Sequence, residues 1–430
     1  MKTPVIGYAG SKLHNWGEAP PKVLMVAEAT GGGSGRHVAE LAEGLLKAGC
    51  RVHLLYSDLR AEQAFRDAIS SLDGLRAQQI PMRREPHWSD MAFLWQIRRY
   101  MNKVGGFDIV HAHSSKAGVL ARLAAFGTGT VKIYTPHAMR TMDPALHPAV
   151  REFYRAVEVG LARASCEAVI AVSEYERQHV IAQGVPAAKT HMVTNGIPPV
   201  RLNDRPAIRA ALGILPDEVA IGFIGRLVPQ KAPGRFVAAV ADVARHHPRV
   251  RGILVGSGPL RDSVHKAARE AGIFKRIVWV TDRQGPHVLP AFDMLLMPSL
   301  YEGMPYVLLE ALAVGVPVVA TDVGGVAEAI EDRVTGFVVA QQDSAALLEK
   351  VQLLVEDADL RHAMAEASVR KSGEMSVERM IEQTLQVYRA ALRRRHAPDR
   401  HWPVVVDARR PIDSRYEPMP PSPADAEHVR

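Results

Sequence analysis

Cysteine is nearly absent: Cys50 and Cys166 are the only two in 430 residues. That is too few for a disulfide framework or a cysteine metal centre, and a reducing, cytoplasmic setting is expected. No apolar run approaches the roughly 20 residues that a membrane-spanning helix requires. Residues 1–21 lack the apolar stretch of a secretory signal and read as a loose leader. Aromatic residues make up 6%, and the net charge of +7 comes with no long basic block; its densest cluster is residues 393–395. Such a charge suits nucleic acid, an anionic membrane surface or phosphorylated substrates. Charge alone does not choose among them. A nucleic-acid binder also needs aromatic-lined basic surfaces, and no nucleic-acid partner is expected.

What is present is the composition of a globular protein, 47% hydrophobic and 23% charged. The length suits two domains rather than one core. Short β-rich apolar runs alternate with helical patterns, the signature of βα units and parallel sheets. The first half offers strands at 23–27, 51–55, 109–112, 131–134, 168–172 and 191–193. The second half restarts at 219–224, 252–255, 277–280, 294–297, 316–320 and 336–339. The Pro-rich polar stretch 195–206 reads as the linker. The expected organisation is therefore α/β: leader 1–21, a first domain at 22–198, a second at 205–375, a last helix at 376–395 and a Pro-rich tail at 396–430. The tail, interrupted by Pro398, Pro403, Pro411, Pro418, Pro420, Pro421 and Pro423, is expected to stay disordered.

Doubly wound sheets bind ligands beyond the carboxyl ends of their strands, and the chemistry-bearing residues fall there. Ser299-Leu-Tyr-Glu302-Gly-Met-Pro305 lies between a strand and a helix. Pro305 suits a first helical turn, leaving the amides of Gly303, Met304 and Tyr306 near a helix N-terminus, where a phosphate is welcome. Glu302 and Glu310 would repel that phosphate, so they are expected to accept hydrogen bonds from sugar hydroxyls. Solvation is an implausible fate for Glu310 within VLLEALAVG, since an unpaired buried carboxylate is costly. Gly225-Arg226-Leu-Val-Pro-Gln-Lys231 adds a planar fork and a mobile point charge after another strand, a combination suited to a diphosphate.

Arg226, Lys231, the Glu302-x7-Glu310 pair and the stretch EALAVGVPVVATDVGG together resemble glycosyltransferase family 4, over about residues 22–395. The resemblance implies the GT-B fold, two doubly wound Rossmann-like domains facing a cleft, and retaining transfer of a sugar from a nucleotide diphosphate. It implies ribose binding by Glu310, donor-sugar contact by Glu302 and diphosphate neutralisation by Arg226 and Lys231. The GGGSGRHV loop resembles the family's glycine-rich first loop, placing Gly32 and Gly33 over the donor phosphates. As a dinucleotide fingerprint it fails, because Val38 stands where a third glycine or alanine is needed. Thr135-Pro136-His137 resembles the position where a histidine nears the donor sugar and reacting centre. Ser173 and the Asn195-Gly196 pair also match family positions, although Ile197-Pro198-Pro199 replaces the usual continuation.

The stretch His111-Ala-His113-Ser-Ser-Lys116 is similar to one found in family members that build bacterial exopolysaccharides, capsules and O-antigens. It makes these three residues acceptor-side candidates, with packing at the sheet end as the equal alternative. As metal ligands the two histidines lack an evident third partner. Asp357-Ala-Asp359, formally a metal-binding pattern, reads as helix capping. No metal or cofactor is expected: a UDP- or GDP-linked sugar would serve as co-substrate, with a lipid-linked saccharide as acceptor. Trp88, Met91 and Trp95, with Phe93, Leu94 and Tyr100 nearby and Arg98, Arg99 and Lys103 beside them, read first as a core helix over the first sheet and second as a face for an anionic membrane, and both hold if one face packs while the other meets lipid. The latter would place the enzyme peripherally on the inner face of the cytoplasmic membrane. A nucleotide-sugar epimerase on the same architecture is the alternative function.

Overall fold

The computed structural model describes residue 16, residues 19–199 and residues 204–396. The Pro-rich tail beyond 396 and most of the leader lie outside the described residues. Trp16, within the leader, is anchored: its indole N–H donates to the Ala48 carbonyl at 3.2 Å, and the Arg389 guanidinium lies 5.0 Å from its ring centre.

The chain forms two parallel sheets. The first contains β1 (Lys22–Ala27), β2 (Arg51–Tyr56), β3 (Arg76–Gln79), β4 (Ile109–His113), β5 (Val131–Thr135), β6 (Ala168–Ala171) and β7 (Thr190–Met192), in the order β3-β2-β1-β4-β5-β6-β7. The second contains β8 (Val219–Ile224), β9 (Val250–Val255), β10 (Ile277–Val280), β11 (Met294–Met297), β12 (Val318–Thr321) and β13 (Gly336–Val339), ordered β10-β9-β8-β11-β12-β13. β3 is a strand that hydrophobic patterning does not reveal. Its four residues, Arg-Ala-Gln-Gln, are all exposed at the sheet edge, so no apolar alternation marks it.

Apolar side chains of each sheet pack into a separate cluster on either face, with helices covering both. Near-continuous hydrophobic strands such as Lys22–Ala27 follow from that double burial. In each sheet the winding reverses beside the first strand, at β1/β4 and at β8/β11, and these switch points open crevices at the strand ends. Pairing holds Ala27, His113 and Thr135 in register across β1, β4 and β5. The loops that follow these strands are therefore neighbours.

The last helix, Val377–His396, does not stay with the second sheet. Val377, Met380, Ile381, Leu385 and Tyr388 are buried in the first domain's cluster, against residues such as Leu41, Leu45 and Ile133. The chain thus crosses between domains twice, and the crossings pair: Ile197 N–H donates to Met375 O at 2.9 Å and Val377 N–H to Ile197 O at 3.2 Å. A Cβ on Gly196 would collide with the Ser376 carbonyl, so glycine is what lets the two segments lie side by side.

Candidate functional site

A cleft of 1720 Å³ separates the two sheets' carboxyl ends, lined by the loops after β1, β5, β8 and β11. Single-ligand pockets are about 300–1,000 Å³, so this one has room for two substrates.

From the first domain comes the glycine loop. Gly31 is extended and caps the helix Gly32–Lys47, whose N-terminus faces the cleft. Gly32 has φ of +60°, a conformation that a side chain disfavours. A Cβ on Gly33 would lie 3.1 Å from the Tyr306 ring of the other domain. The loop after β5 carries His137 and Ala138, both with positive φ (56° and 70°). Two such non-glycine residues in succession are strained. The buried carboxylate of Glu176 holds them, accepting from Ala138 N–H at 2.7 Å and Val172 N–H at 2.9 Å. Burial pushes the Glu176 carboxyl up to about 7.

From the second domain come the expected donor residues. The helix Tyr306–Ala313 begins one residue later than the sequence suggests, with Pro305 as its N-cap. Glu302 is buried and accepts from Lys231 Nζ at 2.5 Å. Glu310, also buried, is paired with Arg36 of the glycine-loop helix. Arg36 lies 4.8 Å from the Tyr306 ring centre and also bonds Glu40 at 2.8 Å, while Tyr306 O–H donates to Glu40 at 3.1 Å. Arg226 opens on the cleft. Burial, then the nearby Arg60 and Arg84 of the first domain, lower its pKa. Gly303, Met304 and Pro305 line the same space.

The domains meet through side chains as well. Asn195 Nδ2 donates to Met304 O at 2.8 Å, and its Oδ1 lies 3.0 Å from His37 Nδ1. Glu328 of the second domain accepts from the Glu174 and Tyr175 amides at 2.8 and 2.7 Å. Those amides start the helix Glu174–Ala182, where a carboxylate is favoured. Ser173 caps it, accepting from Glu176 N–H at 3.1 Å.

The acceptor-side trio divides. His111 is not in the cleft: its ring is buried between Tyr388 O–H at 2.7 Å and Thr135 Oγ1 at 2.8 Å, so it locks the last helix to the first sheet. The alternation of side chains along β4 sends it to that face with His113. His113 is buried too, beneath the cleft floor, with Nδ1 3.2 Å from His137 Nε2. Lys116 does line the cleft, but it is bonded to Asp90 at 2.5 Å and Glu85 O at 2.7 Å. The histidines that join His113 are not neighbours along the chain: His37 and His137 come to it from other elements.

Sequence reasoning did not find Arg36, Glu40 or Glu176, and for Tyr306 it found the amide but not the side-chain contacts with Arg36 and Glu40. The spacing of Arg36 and Glu40, one turn apart on a helix, was the available signal. Asp357 caps its helix as expected, accepting from Leu360 N–H at 2.8 Å. The helix Asp90–Lys103 packs over the first sheet as expected, through Phe93, Ile97 and Met101, but Trp88, Met91 and Trp95 are not part of that packing: they are 83%, 67% and 70% exposed. No helix of the described residues is long and apolar enough to cross a membrane.

Two family models match in tandem: Glycosyltransferase Family 4 at residues 31–201 and Glycosyl transferases group 1 at residues 204–371. The chain is 30% identical over 299 residues to a D-inositol 3-phosphate glycosyltransferase of Segniliparus rotundus, covering 66% of this chain and 67% of the relative. It is 29% identical over 399 residues to an alpha-maltose-1-phosphate synthase of Mycolicibacterium smegmatis, covering 86% and 97%. Among solved structures, Anabaena HepE in complex with UDP-glucose superimposes with a TM-score of 0.74 at 21% identity, covering 86% of this chain and all of that one. The chain therefore belongs to glycosyltransferase family 4 and is a glycosyltransferase of the GT-B fold.

Proposed function

We propose that the protein moves a sugar, with retention at the anomeric carbon, from a UDP- or GDP-linked donor to a lipid-linked saccharide in cell-surface polysaccharide synthesis. The observation that carries the donor half is the convergence of two buried carboxylates, each held by a cation, on one cleft: Glu302 with Lys231 and Glu310 with Arg36. Each cation holds its carboxylate in place until substrate arrives. Glu310 exchanges Arg36 for the ribose hydroxyls. Lys231 swings from Glu302 to the diphosphate, where Arg226 and the amides at the start of the helix Tyr306–Ala313 meet it. Glu302, so released, accepts hydroxyls of the donor sugar, which His137 approaches from the opposite side. Arg226 and Lys231 supply the positive charge that the step requires.

Retention follows from attack on the face that the diphosphate leaves. The bond from the anomeric carbon to the diphosphate oxygen breaks, and the acceptor oxygen forms the new bond. The acceptor's proton passes to the departing diphosphate, whose charge the two cations stabilise. Closure of the cleft over the donor limits hydrolysis.

The test is product analysis with UDP- and GDP-sugars screened first by thermal shift. A saturating donor raises stability by about 2.7 kcal/mol at a hundredfold its Kd. Transfer should need a lipid-diphosphate saccharide and give a product whose anomeric configuration, read by NMR, matches the donor. An inverted product, or donor epimerised without acceptor, would overturn the reading.

A lipid-linked acceptor requires access to a membrane. Met91 and Trp95 are exposed on the helix Asp90–Lys103 together with Arg99 and Lys103, and Trp88 is exposed just before its start. Met91, Trp95 and Arg99 recur at one-turn spacing. Such a face suits the headgroup region of anionic lipid on the inner side of the cytoplasmic membrane. Replacing Trp88 and Trp95 by Ser is expected to weaken co-sedimentation with vesicles of anionic phospholipid by about tenfold or more. Unchanged binding would remove this face from the proposal.

A further inference from the structure

The transfer step uses His137 and leaves the histidines around it without a task. His37, His113 and His137 offer ring nitrogens that all lie within 4.8 Å of one another. They come from the glycine-loop helix, the end of β4 and the loop after β5, brought together because β1, β4 and β5 are adjacent.

The hydrogen bonds settle which nitrogen His37 presents. Asn195 spends its N–H on Met304 O, so its Oδ1 is the atom facing His37 Nδ1. His37 therefore carries its proton on Nδ1 and holds a lone pair on Nε2. A carbonyl gripping the remote N–H of an imidazole is the usual support of a metal-binding histidine. His113 Nδ1 and His137 Nε2, 3.2 Å apart, are spaced much as two ligands on tetrahedral zinc, about 3.3 Å apart for bonds of about 2.0–2.1 Å. The other nitrogen of His113, Nε2, is buried with no hydrogen-bond partner.

Three imidazoles without a carboxylate favour zinc and its neighbours over magnesium or calcium. His137 lines the cleft, which leaves a fourth position open to it.

We propose that His37, His113 and His137 form a site for a zinc-class divalent ion, with its open position facing the cleft. An ion there draws His137 away from the donor sugar, so metal and donor exclude one another. That second statement rests on the donor reading of His137; the site itself does not.

The test uses the untagged full chain, stripped with a chelator and titrated with Co²⁺ as a spectroscopic probe, then with Zn²⁺ in competition. One Co²⁺ per chain with the intense visible bands of four-coordinate geometry is expected, displaced by Zn²⁺. His37→Ala and His113→Gln should abolish it, Asn195→Ala should weaken it about 10- to 100-fold, and His111→Gln should leave it intact. Circular dichroism checks each variant's fold, and the wild-type spectrum decides even if a variant fails to fold. A weak octahedral spectrum, or binding that survives both His37→Ala and His113→Gln, would overturn the site. If Zn²⁺ binds there but leaves calorimetric affinity for the nucleotide sugar unchanged, the exclusion is wrong and the site stands. Failure of the donor reading would show separately, as no nucleotide-sugar binding by metal-free protein.

Discussion

Lys231→Ala should lower kcat/KM by about 10²- to 10³-fold, with most of the loss in kcat. The lysine is predicted to meet charge that develops on the leaving diphosphate, and removing one such donor costs about 2.7–4 kcal/mol. Arg226→Ala should fall in the same range. The two differ in what they do to the empty enzyme. Lys231 neutralises the buried Glu302, so its removal leaves a carboxylate without its cation and should lower the melting temperature as well. Arg226 faces the cleft near two other guanidinium groups, so its removal should leave thermal stability nearly unchanged. Kinetics measured well below the melting temperature, alongside calorimetric scans, separate these effects. If kcat/KM of Lys231→Ala stays within about threefold of wild type, the diphosphate role is wrong.

Glu310→Ala should reduce affinity for the bare nucleoside diphosphate by about 100-fold, because hydrogen bonds to a charged group contribute about 1.5–3 kcal/mol each. Isothermal titration with UDP and GDP measures this directly. The predicted loss is partly offset, since only the wild type must break the Arg36–Glu310 pair before the ribose can bind. Arg36→Ala is therefore informative: it frees Glu310 and should not weaken nucleotide binding as the Glu310 change does. Equal affinity in wild type and Glu310→Ala would dismiss the ribose assignment.

The second domain's side of the cleft was legible because its residues are close in sequence. Glu302 and Glu310 sit on one loop-helix junction, and Arg226 and Lys231 on one loop, so strand-end logic suffices to place them. The partners that hold these groups were not legible. Arg36 reaches Glu310 across 274 positions of chain, and no local pattern marks such a pair. Strand alternation placed His111 and His113 on one face, yet did not show that the face is roofed by the last helix. Tyr388, which occupies His111, reads in sequence only as an apolar position of an amphipathic helix. The exposed Trp88 and Trp95 show the converse: a hydrophobic side chain on a packed helix need not be buried, because Phe93, Ile97 and Met101 already fill the buried face.

The return of the helix Val377–His396 to the first sheet has a consequence for how the chain is made. Domains generally fold in order of synthesis, N-terminal first. Here the first domain's hydrophobic face lacks Val377, Met380, Ile381, Leu385 and Tyr388 until almost the whole described chain has left the ribosome. The second domain, spanning β8 to β13, is complete before the first can close. The last helix thus acts as a late fastener, and a chain truncated before residue 377 would carry an intact second sheet beside an unfinished first one.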